Sequence, residues 1–184
     1  MKISETNLPG ILLIDVKVFA DERGSFMETW QAERYVEAGV PYHFVQDNVS
    51  FSRHGVLRGL HFQYPHGQGK LVYVLQGEVF DVAVDIRVGS PTFGQSVGVT
   101  LSENNNRQIY VPEGFAHGFC VVSPTAMVAY KCTDIYRPQS EGGILWNDPE
   151  LNIPWPIAQP SLSPKDAVYP LLRAIDPARL PRYR

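Results

Sequence analysis

Gly59-Leu60-His61-Phe62-Gln63, followed by Lys70 and then by Gly77, sets one imidazole and one ammonium in a stretch of branched and apolar residues. The best hairpin in the chain starts there. Lys70–Leu75 and Glu78–Arg87 read as two strands joined by a turn at Gln76-Gly77, which would pair Val72 with Asp81 and Lys70 with Ala83. Alternation then puts Lys70, Val72, Val79, Asp81 and Ala83 on one face, with Lys70 and Asp81 as diagonal neighbours. Phe80, Val82, Val84 and Ile86 form a wholly apolar reverse face. A polar face backed by an apolar one suggests a cavity on one side and packing on the other.

Outward from this hairpin, branched and aromatic runs alternate with turn residues every eight to twelve positions over residues 43–135. That spacing belongs to a sandwich or barrel of short strands. Fifteen glycines and fifteen prolines supply the turns. Residues 11–20 read as one strand, and residues 30–38 as a short helix stopped by Gly39 and Pro41. Ser163-Pro164-Lys165-Asp166 reads as the start of a short helix over about residues 163–172, with Ser163 as cap. At 184 residues the chain is expected to be one domain over 1–184.

Charge and composition narrow the function. A net charge of −3 with no basic run argues against nucleic acid or a membrane surface as partner. No apolar run approaches a membrane span. Met1-Lys2-Ile3-Ser4-Glu5 lacks the regions of a signal peptide, and Cys120 and Cys132 do not make a disulfide framework. A cytoplasmic location is therefore expected.

Several residues stand out as candidates. Gln46 and Asn48 share one strand face, and two amides there suit hydroxyl or carbonyl recognition. Arg58 beside Gly59 suits phosphate. A lysine in apolar context needs a carboxylate partner or a task, and Asp81 is its candidate partner. From the residues alone, Asp166 is a helix-capping acid, Tyr130 a strand aromatic, and Phe19–Glu28 a solvated loop.

Two motifs resemble the cupin pattern, in which a glycine leads into His-x-His, a Glu follows and a Gly ends the hairpin. Here Gln63 replaces the second His and Lys70 stands near the expected Glu. An ammonium cannot ligate a metal ion, so the motif suits proton transfer with no metal and no cofactor. Pro112-Glu113-Gly114-Phe115-Ala116-His117 resembles the later cupin motif and places His61 and His117 in one cavity. The fold this implies is mainly β, an antiparallel cupin-type barrel (jelly roll) with a few short peripheral helices.

Together with Asp21–Phe26, Gln46–Ser50, Gly55–Gln63, Gln68–Val72, Gly77–Arg87, Pro112–Phe119, Trp146–Pro149 and Leu162–Asp166, these segments resemble the dTDP-4-dehydrorhamnose 3,5-epimerase family over residues 10–172. The resemblance implies that His61 is the general base, Asp166 the acid paired with it, Tyr130 the proton donor on the opposite face of the sugar, and Lys70 the cation supporting an enolate. It implies substrate contacts for Arg23, Glu28, Gln46, Asp47, Asn48, Arg58, His117, Glu141 and Lys165, and nucleotide or sugar contacts for Phe19 and Tyr136. It also implies a homodimer in which the segment of about residues 1–40 completes the partner's site. Rival readings are an epimerase acting at one carbon and a sugar-nucleotide-binding cupin without catalysis.

Overall fold

The structure, a computed structural model, describes residues 1–41 and 43–183. Thirteen strands form among them: β1 Lys2–Glu5, β2 Leu12–Asp15, β3 Val18–Asp21, β4 Gly24–Met27, β5 Gln46–Arg53, β6 Leu57–Gln63, β7 Lys70–Gln76, β8 Glu78–Asp85, β9 Ser96–Ser102, β10 Arg107–Val111, β11 Phe115–Val121, β12 Thr125–Cys132 and β13 Glu141–Gly143. One antiparallel sheet runs β1-β2-β10-β7-β12-β5 and a second runs β13-β6-β11-β8-β9. β3 and β4 form a separate exposed hairpin. This is the expected mainly-β, antiparallel jelly-roll architecture, although the two sheets do not close into a barrel.

The expected hairpin between residues 70 and 87 does not form. β7 lies between β10 and β12, whereas β8 lies between β11 and β9 in the other sheet. Gly77 alone carries the chain across, with φ +80°. A Cβ there would stand 2.1 Å from the Thr125 carbonyl oxygen. The corner is held from outside: Glu78 N donates to Ser123 Oγ at 2.8 Å, and Glu103 N to the Gly77 carbonyl at 3.0 Å. Lys70 and Asp81 therefore belong to different sheets and are not diagonal neighbours on one.

The face assignments survive this change of pairing, because parity along each strand does not depend on the partner. Val72, Val79 and Ala83 join Leu101, Ile109, Phe119 and Val128 in the core between the sheets. Val82, Val84 and Ile86 pack with Leu60, Ile144, Leu151, Leu172 and Leu180 on the far side of the second sheet. The apolar reverse face of β8 is thus covered by the C-terminal quarter of the chain. A third cluster gathers Ile14, Tyr35, Val40, Leu71 and Tyr110 beneath α1 Ala32–Glu37, the single α-helix among the described residues. That helix lies within the expected 30–38, and Gln31 Oε1 caps it by accepting from Arg34 N at 2.7 Å.

Two other expectations change. Residues 11–20 are not one strand: β2 joins the large sheet, and β3 leaves it for the hairpin with β4. The tail helix over 163–172 shrinks to one 3₁₀ turn at Asp166–Val168, with further turns at Leu172–Ala174 and Pro177–Arg179. Pro170 explains the stop, since it forces Tyr169 out of helical conformation to ψ 150°. Among the described residues no helix is long and apolar enough to cross a membrane.

Gly77→Ala combines left-handed backbone with a main-chain clash. It is expected to cost at least about 2 kcal/mol, read as a lowered midpoint of urea denaturation at unchanged slope.

Candidate active site

Between the sheets lies a cleft in two lobes. The larger, about 550 Å³, is lined by Ser50, Arg58, His61, Lys70, His117, Phe119, Tyr130 and Ser163–Asp166. The smaller, about 320 Å³, is lined by Gln46, Asn48, His61, Phe62, Gln63, Gln68, Lys70, Tyr130, Cys132, Tyr136 and Glu141. His61, Lys70 and Tyr130 line both. The lobes together have the size of a small-molecule site.

The second sheet supplies the histidines. His61 on β6 lies directly opposite His117 on β11. Two glycines allow this close approach: a Cβ on Gly59 (φ +130°) would stand 2.6 Å from the Gly118 Cα. His61 Nε2 lies 2.6 Å from Asp166 Oδ1, and the Asp166 side chain is 4% exposed. A carboxylate only accepts, so Nε2 carries the proton and Nδ1 keeps the lone pair. Burial by itself would raise the Asp166 carboxyl. The hydrogen bond and charge of His61, Ser163 and the Lys165 ammonium outweigh it and hold the group below its ordinary value. Ser163 does act at the start of the turn, accepting from Asp166 N at 3.1 Å, but the Asp166 carboxylate goes to His61 instead.

His117 is buried against Asp81, with Nε2 2.9 Å from Oδ2. Asp81 thus spends its hydrogen bonds on His117 rather than on Lys70.

The large sheet supplies the other wall. Lys70 begins β7 opposite Cys132 of β12, with Tyr130 two residues further along β12. Burial pushes the Lys70 ammonium below its ordinary value, and Cys132, Asp81 and Glu141 pull it part of the way back. Burial pushes the Tyr130 phenol up, helped by Cys132 and opposed by Arg58, so the phenol is protonated at neutral pH. The His61 imidazole and the Tyr130 phenol therefore stand on opposite walls.

Around them sit the polar residues expected from sequence. Gln46 and Asn48 share the inner face of β5, joined by Gln46 Nε2 donating to Asn48 Oδ1 at 3.0 Å. Arg58 Nε donates to Ser52 Oγ at 3.0 Å. Glu141 accepts from Lys165 Nζ at 2.7 Å and from the Tyr136 hydroxyl at 3.2 Å, linking two segments beside the smaller lobe. Gln63, the residue in a ligand's position, spends its amide on main chain. Its Nε2 donates to the His66 and Ile135 carbonyls, and its Oε1 accepts from Arg137 N at 2.7 Å.

Four candidates lie elsewhere. Asp47 points to the outer face of β5 and pairs with Lys131 at 2.9 Å, as the alternation that puts Gln46 and Asn48 inside requires. Phe19, Arg23 and Glu28 belong to the N-terminal hairpin and the segment after it. Phe19 lies opposite Phe26, Arg23 pairs with Asp21 at 2.6 Å, and Glu28 pairs with Arg34. Sequence reasoning missed Ser50, Cys132, Gln68 and Phe119, which line the cleft, and Tyr169, whose ring lies edge-on to His61 at 5.9 Å between centroids. Ser50 was within reach, two residues beyond Asn48 on the same face; its buried Oγ has no partner among the described residues.

The family model described as dTDP-4-dehydrorhamnose 3,5-epimerase matches residues 5–174. The chain belongs to the dTDP-4-dehydrorhamnose 3,5-epimerase family. It is 55% identical over 168 residues to the dTDP-4-dehydrorhamnose 3,5-epimerase of Shigella flexneri, covering 90% of this chain and 93% of that one. A dTDP-6-deoxy-D-glucose-3,5-epimerase from Legionella pneumophila, solved in complex with dTDP-4-keto-L-rhamnose, superposes with a TM-score of 0.97 at 57% identity, covering 100% of this chain and 98% of that one. A dTDP-4-dehydrorhamnose 3-epimerase from Streptomyces niveus is 42% identical, covering 100% of this chain and 90% of that one. As a 3,5-epimerase family member, the chain is of an isomerase class whose members act on sugar nucleotides, and its cleft holds an imidazole hydrogen-bonded to a carboxylate, a half-buried lysine and a protonated phenol.

The lowered Asp166 value fixes the sign of a pH effect. The contribution of this carboxylate to stability is fully present above the ordinary Asp value of about 3.9 and is lost as pH falls through its lower folded value. The stability difference between wild type and Asp166→Asn should shrink as pH falls below about 4, measured by urea denaturation from about pH 5 downward.

Proposed function

We propose that this protein epimerises dTDP-4-dehydro-6-deoxy-D-glucose at C3′ and C5′ to dTDP-4-dehydro-L-rhamnose, within one cupin-type domain over 1–184. The observation that carries the mechanism is the His61–Asp166 contact of 2.6 Å on the wall facing Tyr130. A C4′ ketone acidifies the protons on both neighbouring carbons, so one base serves both positions once the ring shifts. His61 Nδ1 takes the proton. Asp166 fixes the tautomer and stabilises the imidazolium that forms, as the carboxylate does in other His–Asp pairs. Lys70 faces the developing enolate oxygen. Its charge is destabilised by burial until that oxyanion appears, so its interaction is strongest in the transition state. Inversion requires a proton from the other face, and Tyr130 supplies it from the large sheet.

Arg58, His117, Gln46, Asn48, Glu141, Lys165 and Tyr136 hold the sugar, diphosphate and nucleoside around this centre. Phe19, Arg23 and Glu28 act from the exposed N-terminal hairpin in the cleft of a second copy, which makes the working unit a homodimer in the cytoplasm. Asp47 orders β5 through Lys131 rather than touching substrate. The bound dTDP-4-keto-L-rhamnose in the Legionella structure supports the substrate reading. The Streptomyces 3-epimerase keeps a second reading in play, inversion at C3′ alone.

Incubation of the protein with dTDP-4-dehydro-6-deoxy-D-glucose in deuterium oxide is expected to place solvent deuterium at both C3′ and C5′ by NMR. Label at C3′ alone establishes the second reading, and no label refutes both. His61→Ala should slow exchange by about 10³-fold or more. Tyr130→Phe should still release substrate protons while forming inverted product about 10²-fold more slowly.

A further inference from the structure

One string of side chains in the smaller lobe has a fixed direction. It begins at the Tyr136 main-chain N–H, which can only donate, and which gives its proton to Gln46 Oε1 at 2.8 Å. With its oxygen so committed, Gln46 presents Nε2 to Asn48, donating to Oδ1 at 3.0 Å. With its oxygen taken in turn, Asn48 donates through Nδ2 to Cys132 Sγ at 3.7 Å. Neither amide can flip without setting donor against donor. The string therefore needs an acceptor at its far end, and the sulfur of Cys132 is that acceptor.

Cys132 is itself buried and lies directly opposite Lys70 across the β7–β12 pair. The amide string thus ends beside the cation proposed to hold the enolate. Each amide nitrogen has two N–H groups and spends one within the string. The spare N–H groups of Gln46 and Asn48 give this wall donor character, which fits acceptor-only oxygens such as those of a diphosphate.

We propose that Cys132 is a positioning residue that anchors the far end of an amide string whose direction the Tyr136 N–H sets, so that Gln46 and Asn48 are held presenting donors to the diphosphate-bearing ligand. The thiol forms no bond and transfers no proton in this role. It acts as the terminal acceptor, and its loss leaves that Asn48 N–H without its partner, so the side chain is held at one end only. The inference rests on reading the cleft as the dTDP-sugar site.

Cys132→Val keeps the shape and removes the acceptor, whereas Cys132→Ser keeps an acceptor. The loss of this hydrogen bond predicts a roughly fivefold rise in the Kd for dTDP and in KM for Cys132→Val. Cys132→Ser should lie within about twofold of wild type. Calorimetric titration with dTDP and steady-state kinetics on the dTDP-keto sugar read both. An unchanged Kd in Cys132→Val overturns the proposal. Equal weakening in both variants, or a fall in kcat that follows Tm, assigns Cys132 to packing and overturns it as well. Wild-type protein that binds dTDP without turnover would instead overturn the catalytic reading and leave the Kd comparison decisive. Wild-type protein that does not bind dTDP overturns both.

Discussion

Inverting a carbon next to a ketone demands a base on one side of the ring and an acid on the other. No single sheet face meets that demand, because all its inward side chains point the same way. Here the cleft is walled by two sheets, with His61 on one and Tyr130 on the other. The arrangement depends on the chain passing between sheets without losing its inward parity. The corner at Gly77 does this in one residue, which puts Lys70 and Asp81 on facing walls. The core residues Val72 and Val79 fill the space deeper in the same gap.

Much of this was legible in the sequence, and the boundary of what was legible follows from its physics. Period-2 alternation placed Val72, Val79 and Asp81 inward and Val82, Val84 and Ile86 outward, because that pattern is local. It could not reveal which strands pair, because the Gln76-Gly77 signal suits a hairpin and a sheet-to-sheet corner equally well. What decides the corner is Ser123 and Thr125, about fifty residues away in sequence. The helix at 30–38 was legible from its stop signals. The tail helix is cut short by Pro170, which forces Tyr169 out of helical conformation, a stop that the Ser163 cap does not signal.

The site divides along the same line. Gln46 and Asn48 followed from strand parity, and the same parity turns Asp47 to the other face, where it pairs with Lys131. Asp166 was an ordinary capping acid by local pattern, and only the family resemblance tied it to His61, 105 positions earlier. The same logic explains Cys132, a small buried residue by composition whose significance comes from what β5 and β7 bring to it. Partners across sheets carry no periodic signature.

Gln63 has a consequence for the history open to this pocket. Its amide ties the His66 and Ile135 carbonyls and the Arg137 N–H into one clip, so the two loops at the mouth are held by a side chain standing where a ligand would be. An imidazole there could not satisfy all three main-chain groups. An imidazole that took this place for ion binding would have to loosen the entrance before it gained any coordination.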